Sequence, residues 1–438
     1  MKTDNKREEH SVLSPLFDEM TKLALSSNTK TYFCRKSVMK RAIVAIAIAT
    51  GIWGNTRAQI TSKELAGQLN TVTTMVPFLT ITPDSRSAGM GDAGVALFSP
   101  DANSVSWNMS NLVNSDRRSG FSLSYAPWLR QLVPDVGFSY LSGYSKSKNG
   151  NSVFGGAIRY FSLGNINFTD WEGNPTGNFN PNEFSVDAGY ATRFNKKFSM
   201  GVNLRFIYSN IAGNRSLPGG STQAGLSGAG DVNLTYRTKI RMSGGKESAF
   251  NFGLNLQNIG SKMTYTTREQ RDFLPTNLKL GVGWKYEIDN YNKVGIYADL
   301  NKLLVPTRPF YLQAWDGNDS VIGGVRQYIG SDPNVSVVQG MIQSFYDAPG
   351  GLTEELNEWT TSLGTEYWYD NKFAGRVGLF YENKNKGGRQ YLTFGLGLKY
   401  QKVNIDVAML VPFARRHPLQ NQLRFSLLFD MGAFSDND

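Results

Sequence analysis

The sequence predicts an all-β protein: a 14-stranded antiparallel transmembrane β-barrel with an N-terminal lumenal hatch and long extracellular loops. Three observations carry that prediction. From about residue 119 onward, fourteen runs of roughly ten residues alternate apolar with small or polar side chains. The connections between them alternate short and long, and aromatic residues gather near the ends of the runs. A tilted membrane strand needs about 9–11 residues, with one apolar face toward lipid and one polar face toward the lumen.

The N-terminus is set aside first. "MKRAIVAIAIATGIWGNTRAQ" (39–59) has a basic start at Lys40 and Arg41, an apolar run from Ala42 to Trp53 and a small residue, Ala58. That is the layout of a secretory signal peptide over 39–58, with an apolar run too short for a membrane helix. Residues 1–38 are polar and unpatterned, and Met39 is the natural start, so 1–38 read as a misassigned extension. Without 1–58 the chain keeps 36 Lys and Arg against 31 Asp and Glu, a net charge of +5 instead of +10. A nucleic-acid reading then has little electrostatic support. Cys34 also goes, and of the two histidines only His417 stays. Those residues are too few to build a zinc site or a nucleophile–histidine pair, so no metal, no cofactor and no catalytic residue is expected.

Residues 59–118 are expected to form an N-terminal periplasmic segment and the lumenal hatch. The stretch "SAGMGDAGVALFSPDANSVSWNMSNL" (87–112) crowds Gly89, Gly91 and Gly94 together, which first suggests a phosphate loop. No strand of a βαβ unit precedes it, no lysine stands at the Walker position and no α/β repeat follows, so that reading fails. A Gly-rich stretch of mixed polarity ahead of the first strand fits the inside of a polar lumen. Its glycines let backbone approach the wall closely, and Asp92, Asp101, Asn103 and Asn108 are candidates to cap short helices or turns, with Trp107 as an anchor.

The barrel is expected over 119–431. Its strands read 119–128, 135–145, 152–163, 183–194, 198–209, 228–242, 249–260, 276–288, 292–303, 359–370, 372–383, 389–400, 402–413 and 421–431. In "GFSLSYA", Phe121, Leu123 and Tyr125 share one face, while Ser122 and Ser124 share the other. A soluble sandwich or propeller also alternates, but the connections separate the two readings. One rim has tight turns such as "NKK" and "DNY", and the other has long loops including 164–182, 210–227 and the insert 304–358. This asymmetry, with an even strand number, belongs to outer-membrane barrels. Tyr125, Trp128, Trp284, Tyr286, Trp359, Tyr367, Trp368 and Tyr369 near strand ends suggest aromatic girdles. The last strand carries Leu423, Phe425, Leu427 and Phe429 on one face, and a polar tail follows over 432–438. Backbone amides paired between strands need no apolar helix, which accounts for the mean hydropathy of −0.34.

The loops supply candidate partner-binding residues. Loop 164–182 carries Trp171 and Phe179, and the insert 304–358 reads as one or two short helices around Met341, Ile342, Phe345 and Tyr346. "FARRHP" puts Arg415 and Arg416 on the last outer loop, suited to anionic lipopolysaccharide or an acidic partner. Gly155, Gly156, Gly281 and Gly283 are candidate kinks, which a channel for hydrophobic molecules would need.

"RSAGMGDAGVAL" followed by "DANSVSWNMSNL" resembles the N-terminal motif of FadL-type barrels, in which A-x-G-M-G-x-A-x-V-A leads to D-x-x-x-x-x-x-N-P-A-x-L. Within that superfamily, "TVTTMVPFLTITPDSRSAGMGDAG", the insert 304–358 and "AMLVPFARRHPLQNQLRFSLLFD" are similar to the PorV family, a likeness that extends over roughly 60–438. The resemblance implies a non-enzymatic component of the type IX secretion system in the outer membrane of a Gram-negative bacterium. Such a protein takes secreted cargo by a C-terminal signal domain from a large translocon subunit to a surface attachment complex that includes a sortase. A FadL-like channel for hydrophobic small molecules is the alternative. One departure stands out: Asn108-Met109-Ser110 replaces Asn-Pro-Ala, which favours a hatch that seals over one that gates.

Overall fold

The computed structural model describes residues 69–433 with breaks at 131–132, 134, 214–215, 218–219, 242–246, 267–270, 312–320, 323–324, 327 and 415–416. The expected leader and the extension before it lie outside these residues. Fourteen strands close into one antiparallel barrel. They are β1 (Arg117–Pro127), β2 (Val136–Lys146), β3 (Ser152–Leu163), β4 (Asn182–Arg193), β5 (Phe198–Asn210), β6 (Gly225–Arg241) and β7 (Glu247–Gly260). Then follow β8 (Asn277–Glu287), β9 (Asn292–Leu303), β10 (Thr360–Tyr369), β11 (Phe373–Tyr381), β12 (Gln390–Tyr400), β13 (Val403–Pro412) and β14 (Gln422–Ala433). Each strand pairs with the next, and β1 closes on β14 with Phe121 opposite Phe429 and Leu123 opposite Leu427. Each strand sits within a few residues of its expected place. The last runs two residues beyond 431, and the rest of the expected tail, 434–438, lies outside the described residues.

The wall is inside-out relative to a soluble protein. Phe121, Leu123 and Tyr125 are exposed while Ser122 and Ser124 are buried, as period two requires. The same inversion runs round the barrel: Leu204 and Leu396 are more than 70% exposed, while Asn233 and Asp406 are fully buried. An apolar outer band over a polar interior is stable only where lipid replaces water outside. At one rim the connections have two to five residues, and at the other they run from eight residues to the whole of 304–359. Asp370 and Asn371, in one of the tight turns, are both left-handed (φ 51° and 49°), the conformation that type I′ hairpins demand.

Tyr125, Trp284, Tyr367 and Tyr369 lie on the outer face. Trp128 and Trp368 do not belong to the girdle. Trp128 packs edge-on against Phe161 and beneath the Arg424 guanidinium, and Trp368 lies under the Arg376 guanidinium. A strand-end aromatic faces lipid or lumen according to its parity, and composition alone does not report that.

Residues 70–116 pack against the buried face of the wall. They hold a 3-10 turn (Pro77–Thr80), α1 (Ser85–Ala88), α2 (Ser104–Trp107) and a second 3-10 stretch (Met109–Asn114). Val76, Phe78, Val105, Met109 and Leu112 join Phe138, Tyr140 and Phe161 of the wall in one apolar cluster.

Candidate functional site

The Gly-rich stretch meets the wall backbone to backbone. A Cβ on Gly89 would lie 3.0 Å from the Cα of Gly395, and one on Gly91 would lie 2.5 Å from the Leu379 carbonyl oxygen. From the wall side, a Cβ on Gly378 would lie 2.0 Å from the Gly91 nitrogen, and one on Gly364 would lie 2.5 Å from Met90. Gly94 makes room for the Trp107 ring, whose nearest atom would be 2.2 Å from a Cβ. Glycine is therefore required on both sides of this contact. The wall glycines escape a sequence reading because a strand glycine looks the same whether it faces a plug or a gap.

Polar groups then fix the register. Asp299 accepts hydrogen bonds from the Gly94 and Val95 amides (2.7 and 3.0 Å), and the Thr393 hydroxyl accepts one from Gly91 (2.8 Å). Arg86 makes a two-pronged bond to Glu366, with Nε to Oε1 at 2.9 Å and Nη2 to Oε2 at 2.8 Å. Arg376 of the wall donates to the same carboxylate (2.9 Å) and to Asp406 (2.6 Å). All four groups are buried, so each charge depends on its partners. Arg86, Glu366 and Arg376 drew no attention in the sequence, where nothing links positions 280 residues apart.

The expected capping roles are revised by the structure. Asp84, not Asp92, caps α1 by accepting from the Ser87 amide (2.8 Å), and its other oxygen accepts from the Trp107 indole (2.7 Å). Asp92 is left-handed (φ 62°) and its carboxylate accepts from the Tyr391 hydroxyl (2.5 Å). Asp101 accepts from the Asn103 amide (2.9 Å) and faces Arg86 (3.3 Å). Asn103 precedes α2 in helical geometry, so its side chain makes no cap bond. Asn108 donates to the Val95 carbonyl and to Thr235 (3.1 and 3.0 Å), which ties two parts of the plug to the wall.

Met109 explains the departure from Asn-Pro-Ala. Its amide donates to Asn233 Oδ1 of the wall at 2.6 Å, a bond that proline has no hydrogen to make. Asn108 is extended (φ −166°, ψ 94°), so a following proline fits the backbone. Met109→Pro removes that bond, about 1 kcal/mol net, and also a fully buried side chain, about 2–5 kcal/mol, so it should lower the denaturant midpoint more than Met109→Ala, which keeps the amide. Equal midpoints for Met109→Pro and Met109→Ala would mean that this amide anchors nothing.

Gly155, Gly156, Gly281 and Gly283 are not kinks. Pairing runs unbroken through all four. Gly155 approaches Met109 and Val105, Gly281 approaches Val95, and Gly283 approaches the Ala96 carbonyl, so these three are further contacts with the plug. The one shift of register in the wall falls between Gly230 and Val232, opposite the left-handed Asn258. Asp231 fills that bulge by accepting from the Asn258 amide (2.8 Å) and from Arg205 (2.9 Å). On the long-loop side of the plug, a cavity of 490 Å³ is lined by Asp92, Lys279, Glu382, Lys386 and Arg389 together with Trp107, Leu303 and Phe380, a surface of mixed polarity.

The insert carries α3 (Val337–Gln343) and α4 (Leu352–Asn357), the short helices expected there. Its inner side is ionic and buried. Lys302 bonds Glu355 and Glu358 (3.0 and 2.5 Å), and Lys386 bonds Glu354 and Glu358 (2.6 and 2.9 Å). Asn70 adds a bond to Glu354 (3.0 Å), so the start of the described chain is tied to the insert. The outer side is apolar: Val338, Ile342, Phe345, Tyr346, Leu352 and Leu356 are all exposed, while Met341 is half-buried. Trp171 is fully exposed at the tip of its loop, and Phe179 is half-buried against Gly213. Arg415 and Arg416 lie outside the described residues, and the neighbouring His417 accepts from the Leu419 amide within its own loop (3.1 Å).

Asp347 makes the insert sensitive to pH. Its carboxylate accepts from the Thr307 amide (3.1 Å), while burial and then the nearby Glu355 and Glu358 push it up to about 7. A carboxyl with a raised native pKa binds its proton more tightly folded than unfolded, so it stabilises below the unfolded value of about 4, and that stability is lost as pH rises through about 7. Amide exchange in residues 337–357 should therefore speed up between pH 5 and pH 8 beyond its intrinsic rise, and Asp347→Asn should abolish the excess. An excess that persists in the variant would assign the effect to another group.

A family model described as "Type IX secretion system protein PorV" matches residues 64–310. No curated relative matches the chain. Among solved structures, the toluene transporter TbuX of Ralstonia pickettii is similar at 13% identity and a TM-score of 0.45, over 80% of this chain and 98% of that one. The toluene transporter TodX of P. putida is similar at 12% identity and 0.45, over 80% and 98%. A Pseudomonas aeruginosa FadL homologue is similar at 12% identity and 0.39, over 83% and 100%.

Proposed function

Since the chain belongs to the PorV family of type IX secretion system proteins, we propose that it binds secreted proteins by their C-terminal signal domain and carries them from the translocon to the cell-surface attachment complex. The observation that carries this reading is the two-sided insert. A buried ionic base holds α4, Gly340 seats α3 on Phe273, and an exposed apolar face of Ile342, Phe345, Tyr346, Leu352 and Leu356 stands over them. An apolar face fixed on a rigid support suits a protein partner, because its residues are already ordered before binding. The plug supports the same reading: a lumen packed with buried glycine contacts and ion pairs leaves the outer loops as the working surface.

The experiment is recovery of the intact protein from outer membranes with whatever it holds. Ile342→Ser combined with Phe345→Ser is expected to cut co-recovery of secreted proteins by about tenfold, which corresponds to about 1.4 kcal/mol. The amount of barrel in the membrane should stay the same, because both side chains are exposed. Wild-type co-recovery by the double variant would overturn the assignment of this face.

A further inference from the structure

At the short-turn rim, several strands end on an inward-facing cation. By the parity of the buried positions, Lys146 ends β2, Arg193 ends β4, Arg237 lies near the end of β6 and Lys285 near the end of β8, all pointing to the lumen side of the wall. Lys196 and Lys197, in the turn between β4 and β5, add two more. These residues line a cavity of 750 Å³ whose floor is the end of the plug, Phe98–Ser99 and Val113–Asp116. Seven cations line it against two carboxylates, Asp116 and Glu287, and Glu287 is engaged by Lys285 (2.8 Å) and Lys293 (3.8 Å).

The plug uses only part of this charge. Lys146 donates to the carbonyls of Val113 and Ser115 (3.0 and 2.7 Å), Arg193 to Val113 (3.1 Å) and Arg237 to Asn114 (3.4 Å), at the negative end of the second 3-10 stretch. Each guanidinium commits a single donor there, and that of Arg237 also covers the Phe98 ring at 4.9 Å. Among the described residues, Arg193, Lys196, Lys197 and Arg237 have no carboxylate within 4.0 Å. Unpaired cations crowded around a cavity repel one another, and an anion that enters relieves that repulsion.

We infer that this vestibule binds an acidic, extended peptide segment of a partner protein on the short-turn side of the barrel. A phospholipid headgroup fits less well, because the wall separates inward-facing cations from the surrounding leaflet. A single phosphate neither fills the volume nor matches the charge surplus. That this side faces the periplasm rests on the outer-membrane reading given above; the binding itself does not.

The test uses the purified full chain in detergent and a fluorescein-labelled short peptide of alternating glutamate and glycine, followed by anisotropy. The wild type is expected to bind, and Arg193→Gln with Lys196→Gln and Lys197→Gln is expected to weaken binding by about tenfold or more. All three residues are exposed, so the barrel should still fold. Lys372→Gln, in a different short turn and paired with Asp370, should bind as the wild type does. Equal affinity of the triple variant and the wild type would overturn the proposal. Full competition by inorganic phosphate, or by phosphatidylglycerol vesicles, would also overturn it, in favour of a simple anion site or a lipid surface. Sidedness is read separately. Lys196→Cys with Cys34→Ser should react with an impermeant maleimide only after the outer membrane is opened, and reaction in intact cells would overturn the orientation while leaving the peptide site standing.

Discussion

Glu366→Gln will loosen the plug from the wall at a cost of about 3–5 kcal/mol, the loss expected when one member of a buried ionic network is neutralised. Glu366 is the hinge of that network: it takes both prongs of Arg86 from the plug and one bond from Arg376 on the wall. With it neutral, two buried guanidiniums keep Asp101 and Asp406 as their only carboxylate partners among the described residues, beside the Phe98 and Ser99 carbonyls that Arg86 already bonds. Trypsin checks this directly, because Arg86 is buried in the native protein and becomes a cleavage site once residues 70–116 leave the wall. Adding Arg86→Met should restore part of the resistance in an unfolding measurement, since one stranded charge is then removed together with its partner. If Glu366→Gln leaves both the denaturant midpoint and the proteolysis unchanged, the network does not hold the plug.

Gly378→Ala is expected to be comparably damaging through shape alone. The added methyl would sit 2.0 Å from the Gly91 nitrogen and 2.1 Å from the Met90 carbonyl carbon, and backbone has no rotamer through which to retreat. Over-packing of this kind costs about 1–3 kcal/mol and sometimes more. Gly91 can accommodate it only by leaving Thr393 and the left-handed conformation it holds (φ 67°). The matched control lies on the same strand. Gly375 has nothing within 4 Å of an added Cβ, so Gly375→Ala should behave as wild type. In liposomes the wild-type protein should pass no small solute, and Gly378→Ala should raise conductance as the plug is displaced. Free solute passage through the wild type would contradict a sealed lumen, and silence from Gly378→Ala would contradict the glycine contact.

Period two was enough to locate all fourteen strands. A lipid-facing strand must be apolar at every second residue, and a one-residue slip would turn Phe121 and Leu123 into the lumen. Connection lengths were legible for a similar reason, since tight turns leave little room between successive runs. The Gly-rich plug was legible as a segment that belongs inside, but its contacts were not. Asp299 and Thr393 reach it from more than 200 residues away, and a capping role for Asn103 fails because Asn103 is itself in helical geometry. Local chemistry proposes a cap; tertiary packing decides whether the side chain is free to make one.

By itself, then, the sequence determined the barrel, its strand number and the placement of a glycine-rich segment ahead of the wall, because periodicity and turn chemistry act between near neighbours. Only the tertiary structure decided which wall glycines touch the plug, which charges pair across the lumen, that the Met109 amide takes the place of a proline turn, and that the short-turn rim gathers more cations than carboxylates around one cavity. Those facts depend on closing the sheet. Closure brings strand ends more than 100 residues apart to a common mouth, and no local pattern encodes where they meet.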